Sequence, residues 1–329
     1  MRVGIFGDDH LDRNLPWETS DNKRYNFRKK LKKKVLEPFD LTFHLGDLTH
    51  KKNFIDGKII DDALNIFSGK KVIYILGNHD RSKDGQQYQS LLELLNNVLE
   101  DFRVVTDIDT YEQDGVIYIL SSYYAKEEDI KKEVLDVLDR KRPDQKVLVL
   151  GHWIFYNQFW DSGKRLTDFA EKLHKQGEPI KWILGHEHSP EGFPYGMYIG
   201  CLSPLEFGQK QGKIMVIEDG RYDFWNYPEG EKFIELKDTN LPDSFETPER
   251  TYLKIITDNP ERTGELKDKY SHLAHCSVKY DVSETDQETK SENLDIKDEQ
   301  YYFSKACESF DYDENELAPL HSKIKKEVE

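Results

Sequence analysis

Cysteine is scarce in this chain: Cys201, Cys276 and Cys307 stand too far apart for any paired spacing. That argues against a disulfide framework or a zinc finger and points to a reducing compartment, the cytoplasm. No long apolar run occurs and the first strand-like segment starts at Val3, so neither a signal peptide nor a membrane span is expected. A Walker A sequence is missing too, because Gly208 to Lys213 is one residue short of the Gly-x-x-x-x-Gly-Lys spacing. Basic charge is short: Lys and Arg number 47 against 63 Asp and Glu, a net of −16. This is opposite to the footprint that a phosphate backbone ordinarily requires. The distribution softens it, since residues from 239 onward hold 22 acidic and 12 basic side chains and so −10 of the −16. What remains, 329 residues with 37% hydrophobic content, suits one large soluble domain with a smaller one.

Five times an apolar run ends in glycine and a possible metal ligand follows. Val3 to Phe6 lead into Gly7-Asp8-Asp9-His10, Leu41 to Leu45 into Gly46-Asp47, and Val72 to Leu76 into Gly77-Asn78-His79-Asp80. Val147 to Leu150 lead into Gly151-His152, and Ile180 to Leu184 into Gly185-His186-Glu187-His188. Short apolar runs bounded by glycine predict buried strands, and open α/β sheets gather ligands at the carboxyl ends of their strands. Any one of these stops is common in loops that bind nothing; the joint order carries the reading. The donors are carboxylate, amide oxygen and imidazole, with no thiolate at any stop. That mixture suits Mn²⁺ best, with Fe²⁺ or Zn²⁺ behind it. Seven donors exceed what one such ion takes, and paired cations about 3.5 to 4 Å apart serve in-line phosphoryl displacement. Two dications that close repel by roughly 19 kcal/mol at an effective dielectric of about 20, so an anion such as a shared carboxylate must lie between them.

The order Asp-x-His, Gly-Asp, Gly-Asn-His-Asp, Gly-His, Gly-His-x-His resembles the calcineurin-like metallophosphoesterase superfamily over roughly residues 1–235. The resemblance implies a four-layer α-β-β-α sandwich holding two divalent metals. One metal would be held by Asp8, His10, Asp47 and His188. Asp47 would bridge to a second metal completed by Asn78, His152 and His186. His79 would stay off the metals and orient the phosphate or protonate the leaving oxygen, a task that suits imidazole. His50 is a second candidate helper, or a loop histidine bonded to backbone. His44 is expected to be structural, and Asp9, Asp80 and Glu187 to orient ligands.

Within that superfamily the chain looks like the recombination nucleases of the SbcD and Mre-eleven type, most of all the short phage form. Gly46-Asp47-Leu48-Thr49-His50 is similar to their Gly-Asp-Leu-Phe-His, with Thr49 departing. Tyr198-Ile199-Gly200-Cys201 and Leu205-Glu206-Phe207-Gly208-Gln209 resemble the segment after the last motif, with Cys201 and Gln209 departing. The implied activity is Mn²⁺-dependent cleavage of DNA, exonuclease and endonuclease, in repair and recombination. The implied partners are DNA, an SbcC-like or Rad-fifty-like ATPase bound through the C-terminal tail, and a second copy of the chain. The location would be the cytoplasm of a bacterium or of a phage-infected host. A stand-alone phosphatase or cyclic-nucleotide phosphodiesterase and a non-catalytic scaffold of the same fold are the rival readings.

Between the metal motifs the pattern is strand, helix and strand, then a β-rich stretch from Val116 to Tyr227, which fits two packed sheets flanked by helices. Lys23, Arg24, Arg28, Lys29, Lys30, Lys32, Lys33 and Lys34 fall on one expected helix, a face for DNA or for plain solvent. A second helix, from about Gly85 to Asp101, carries Leu91, Leu92, Leu94, Leu95, Val98 and Leu99, more apolar surface than one core stripe needs. It would face a second copy or be buried on two sides. The expected domains are a nuclease domain at 1–236, a small α+β capping domain at 251–282 after a linker, and a flexible segment with a helical tail at 283–329. Tyr301, Tyr302, Phe303, Phe310, Leu317, Leu320, Ile324 and Val328 give that tail an apolar side for a partner's groove or for the chain's own surface.

Overall fold

The computed structural model describes residues 1–11, 23–50, 57–80, 91–155, 165–227 and 230–280. The elements run β1 (Arg2–Phe6), α1 (Lys23–Leu36), β2 (Leu41–His44), α2 (Gly57–Phe67), β3 (Val72–Ile75), α3 (Leu91–Val98), β4 (Phe102–Val105), β5 (Ile108–Gln113) and β6 (Val116–Ser121). Next come α4 (Glu127–Arg140), β7 (Lys146–Gly151), α5 (Thr167–Lys175), β8 (Ile180–Leu184), β9 (Glu191–Phe193), β10 (Gly196–Tyr198), β11 (Lys213–Glu218) and β12 (Arg221–Asn226). The last are β13 (Lys232–Lys237), β14 (Thr251–Thr257), α6 (Arg262–Lys269) and β15 (His275–Tyr280).

Two six-stranded sheets form, in the orders β12-β11-β1-β2-β3-β4 and β5-β6-β7-β8-β10-β9. β1 to β4 are mutually parallel, as are β6, β7, β8 and β10, while the flanking strands run antiparallel. Parallel central strands are covered on both faces, which is why β2, β3 and β6 are buried along their whole length. Alternation divides β6 between two cores: Tyr118 and Leu120 join the core shared with the first sheet, and Ile117 and Ile119 join the one that includes α4 and α5. The result is the four-layer α-β-β-α arrangement expected.

The stretch 116–227 is less purely β than its composition suggests, because α4 and α5 lie within it. Parallel neighbours need a crossover connection, and helices supply it between β6, β7 and β8. The missed signal is the buried Ile130, Val134 and Val137, spaced three to four apart on α4. On α3, Leu91, Leu92 and Leu95 are buried whereas Leu94 and Val98 are exposed. The first part of that expected helix, like the tail at 283–329, lies outside the described residues.

A small third sheet, β13-β14-β15, packs with α6 around Leu253, Ile255, Leu266, Tyr270 and Leu273. β13 straddles residue 236, where the catalytic domain was expected to end, and pairs in parallel with β14. Residues Met1–Thr257 and Glu261–Lys279 make one compact unit. Arg24 of α1 ties the small sheet into it: its Nε donates to Glu231 at 2.9 Å, its Nη2 to the Pro204 carbonyl at 2.6 Å, and its guanidinium lies over Phe233 and Tyr252. Both partners of the Arg24–Glu231 pair are almost wholly buried. Removing the cation strands a buried carboxylate, so Arg24→Met should cost about 3–5 kcal/mol in denaturant unfolding, and adding Glu231→Gln should recover part of the loss.

Candidate metal centre

All five glycine stops lie at the carboxyl ends of their strands, β1, β2 and β3 in the first sheet and β7 and β8 in the second. Because the sheets face each other, their loops meet at one end of the sandwich. The chain then turns sharply. Among the described residues, six non-glycine residues take positive φ, and four of them are expected ligands: Asp8 (54°), His10 (44°), Asp47 (53°) and His186 (80°). Left-handed backbone costs such residues about 1 kcal/mol or more each, so the surroundings must hold it. Hydrogen bonds across the loops do so: Asp8 N donates to Gly46 O and His10 N to Asp47 O, both at 3.0 Å.

The expected first set comes together. Donor atoms of Asp8, His10 and His188 lie within 4.8 Å of one another. His10 Nε2 is 3.0 Å from His188 Nε2 and 3.9 Å from Asp47 Oδ2, although His10 and His188 are 178 positions apart. The second set adjoins it through Asp47. His152 Nε2 lies 3.4 Å from Asp47 Oδ2 and 3.0 Å from Asn78 Oδ1, and His186 Nδ1 is 2.9 Å from the same Asn78 oxygen.

At His152 the contacts set acceptor against acceptor. His152 donates its Nδ1–H to the Leu45 carbonyl, so in the neutral ring Nε2 carries a lone pair aimed at two oxygens. Burial keeps His10, His186 and His188 neutral, pushing His186 down to about 3 and His188 down to about 4. Burial also pushes Asp8 up to about 8. Asp47 is buried as well, but the rings of His152, His10 and His79 outweigh that and hold its carboxyl well below the usual range. His152 is the counterpart: burial opposes its charge, yet Asp47 and Asp8 prevail and push it up to about 9. The raised His152 imidazole marks a spot where convergent oxygens and nitrogens favour positive charge. Two divalent cations, one per set with Asp47 shared, fit this donor chemistry.

His79 stands beside both sets. Its backbone N–H donates to Asp47 Oδ1 at 2.8 Å and its Nδ1 to the His50 carbonyl at 2.6 Å, leaving Nε2 4.0 Å from Asp47 Oδ2. His50 stacks on His79 and places Nδ1 3.3 Å from His10 Nδ1, so it steadies the far side of a ligand ring. Donor atoms of His10, His50 and His79 also fall within 4.8 Å of one another, a third histidine-only set beside the other two.

A supporting layer explains the neighbours. Asp80 Oδ2 accepts from Gly77 N at 2.7 Å, Tyr74 OH at 2.9 Å and Asp47 N at 3.0 Å, binding two metal loops to each other. His44 accepts from Gly46 N at 3.2 Å, stacks on Tyr74 and turns its Nε2 to Asp9. Lys32 donates to the same Asp9 carboxylate, and Arg28 to the carbonyls of Asp9 and His10. Cys201 Sγ donates to Asp8 O at 2.6 Å, and Gln209 Nε2 lies 3.3 Å from His188 Nδ1, so two of the three departures from the nuclease pattern touch the site. Glu187 is exposed.

Arg24, Arg28 and Lys32 correct the reading of α1 as one basic face. They are buried and bonded inward, while Lys30, Lys33 and Lys34 are exposed. Sequence reasoning missed them as supports of the site because basic residues are rarely interior. The signal available was their spacing at four-residue intervals, shared by the core residues Leu31 and Val35.

The glycines are required by the ligands themselves. A Cβ on Gly77 would lie 2.1 Å from Asp47 Oδ1, and one on Gly185 2.9 Å from Asp8 Oδ2. Gly77→Ala should therefore weaken metal binding about 10- to 100-fold in equilibrium dialysis with Mn²⁺, with far-ultraviolet circular dichroism unchanged.

Residues 1–190 match the calcineurin-like phosphoesterase family, whose members use two divalent metals. No curated protein matches the chain. Among solved structures, a purple acid phosphatase from yellow lupin (Lupinus luteus) seeds is similar over 69% of this chain and 46% of its own, at 17% identity and a TM-score of 0.37. The chain thus spans less than half of that phosphatase. A hypothetical protein from Thermus thermophilus is similar over 69% of this chain and 100% of its own, at 17% identity and a TM-score of 0.35. The family match takes in more than half of the 329 residues and every strand-end donor, so the chain belongs to the calcineurin-like phosphoesterase family of metal-dependent hydrolases.

Proposed function

We propose that this chain is the nuclease subunit of an SbcCD-like complex, hydrolysing DNA phosphodiesters with two divalent metals, Mn²⁺ by preference. The observation that carries the hydrolytic reading is the pair of adjoining donor groups, Asp8 with His10 and His188 and Asp8 with Asp47 and His152; Asp47 Oδ2 lies 3.9 Å from His10 and 3.4 Å from His152, and His79 stands beside them. Asp8, His10, Asp47 and His188 would hold one metal, and Asp47, Asn78, His152 and His186 the other. Bound there, the cations supply charge for the non-bridging phosphoryl oxygens and acidify the attacking water. His79 is pinned through Nδ1 to His50, which fixes the direction of Nε2 for holding the phosphate or giving a proton to the leaving oxygen. His50 positions His79 and His10.

Support for DNA comes from the Gly-Asp-Leu-Thr-His and post-motif segments, and from the extension beyond residue 236. The net charge of −16 favours the rival, a small-molecule phosphodiesterase. With Arg24, Arg28 and Lys32 turned inward, weak DNA binding by this chain alone is expected, the ATPase partner supplying much of the grip. The full donor set argues against a non-catalytic scaffold. The exposed Leu94 and Val98 on α3 suit contact with a second copy. Among the described residues no helix is long and apolar enough to cross a membrane.

Asp47→Asn should lose most bound metal, whereas His79→Leu should keep it and lose turnover at least about 100-fold. Metal analysis beside an Mn²⁺ assay on duplex DNA, single-stranded DNA and a chromogenic phosphodiester checks both. Wild-type cutting by His79→Leu would remove its catalytic role, and hydrolysis of the chromogenic ester alone, with or without the ATPase, would favour the rival. Light scattering at micromolar concentration should give a dimer, and Leu94→Glu with Val98→Glu a monomer.

A further inference from the structure

Among the described residues five large apolar side chains are exposed: Leu94, Val98, Tyr124, Leu135 and Tyr222. Four lie on α3, α4 and β12; Tyr124 stands at the lip of the metal centre. Its hydroxyl donates to the Asn78 carbonyl at 3.4 Å, and its ring is 5.3 Å edge-on from Tyr123. Tyr123 in turn stacks on His186, with ring centroids 5.8 Å apart and planes 28° from parallel.

This lip is built. Tyr123 N donates to Leu76 O at 2.9 Å, immediately before the Gly77-Asn78 turn. Tyr124 N donates to Ser122 Oγ at 3.2 Å, and that hydroxyl donates to Thr106 O at 2.8 Å. Both tyrosines are thereby fixed relative to Asn78 and His186, two donors of the second set. Under the proposed function the donor sets engage a phosphoryl group, and whatever else the phosphorus bears must leave the centre across its rim. An aromatic ring fixed there offers a flat apolar face that suits a nucleobase of any sequence.

We propose that Tyr124, backed by Tyr123, receives the base of a nucleotide flanking the scissile phosphate and so makes the site select base-bearing phosphodiesters. The assignment rests on the nucleic-acid reading above. Tyr123 stacks on His186, and Tyr124 is the more exposed of the two rings.

The test compares kcat/KM, with Mn²⁺, for a short single strand and the same strand made abasic at the cleaved nucleotide. A phosphorothioate-protected strand with 2-aminopurine at that position reports stacking by fluorescence quenching. Wild type should prefer the base-bearing strand by about 5- to 100-fold and quench the probe. Tyr124→Ala should abolish most of the preference and the quenching, and Tyr124→Phe should retain both, since the ring stays while the hydroxyl contact goes. If Tyr124→Ala keeps the preference, or wild type cuts both strands equally, the lip assignment is wrong and the nuclease reading survives. If wild type cuts neither strand yet hydrolyses a chromogenic phosphodiester, the nucleic-acid reading fails and takes the lip with it.

Discussion

Asp47 is the point on which the site turns. Its carboxylate is buried, shared between two groups of donors, and bonded through Oδ1 to the backbone of His79. Around it the chain gathers lone pairs and negative charge, an arrangement that costs free energy unless a cation answers it. Burial opposes charge on His152, yet Asp47 and Asp8 push its imidazole up to about 9, which reflects the same demand. Cations held there would add part of their binding energy to the stability of the fold.

Holding such a cluster requires two kinds of rigidity. Backbone geometry is the first: left-handed turns at Asp8, His10, Asp47 and His186, with glycines before them where a side chain would collide with a ligand. The second is a layer of buried polar groups, Asp80 with Tyr74, and Asp9 with His44 and Lys32. These bind loop to loop and loop to helix. Burial pushes Asp80 up to about 7, with the neighbouring Asp47 adding to it, so this carboxyl is tuned by the charge it supports.

Helix α1 shows how the protein handles a scarcity of positive charge. Three of its basic residues serve the interior, where Arg24 anchors the small sheet and Arg28 and Lys32 hold the Asp8–His10 loop. What remains for a phosphate backbone is a reduced outer face on an acidic molecule. If the substrate is a polyanion, affinity for it would have to come from bound metals, from contacts with bases, or from another chain.

The donors were legible in the sequence because all seven follow one of five strands and its glycine within three residues, a pattern set by local backbone chemistry. The sheet-forming runs were legible for the same reason, whereas α4 and α5 were hidden inside a region rich in apolar strands. What the sequence by itself determined is the inventory: which side chains stand at strand ends, in what order, and with what ligand chemistry. Only the tertiary structure decided which donors share a neighbourhood, that Asp47 lies between the two sets, and that three basic residues of α1 point inward. Those outcomes depend on contacts between residues such as His10 and His188, 178 positions apart, and on burial energies that no local pattern encodes.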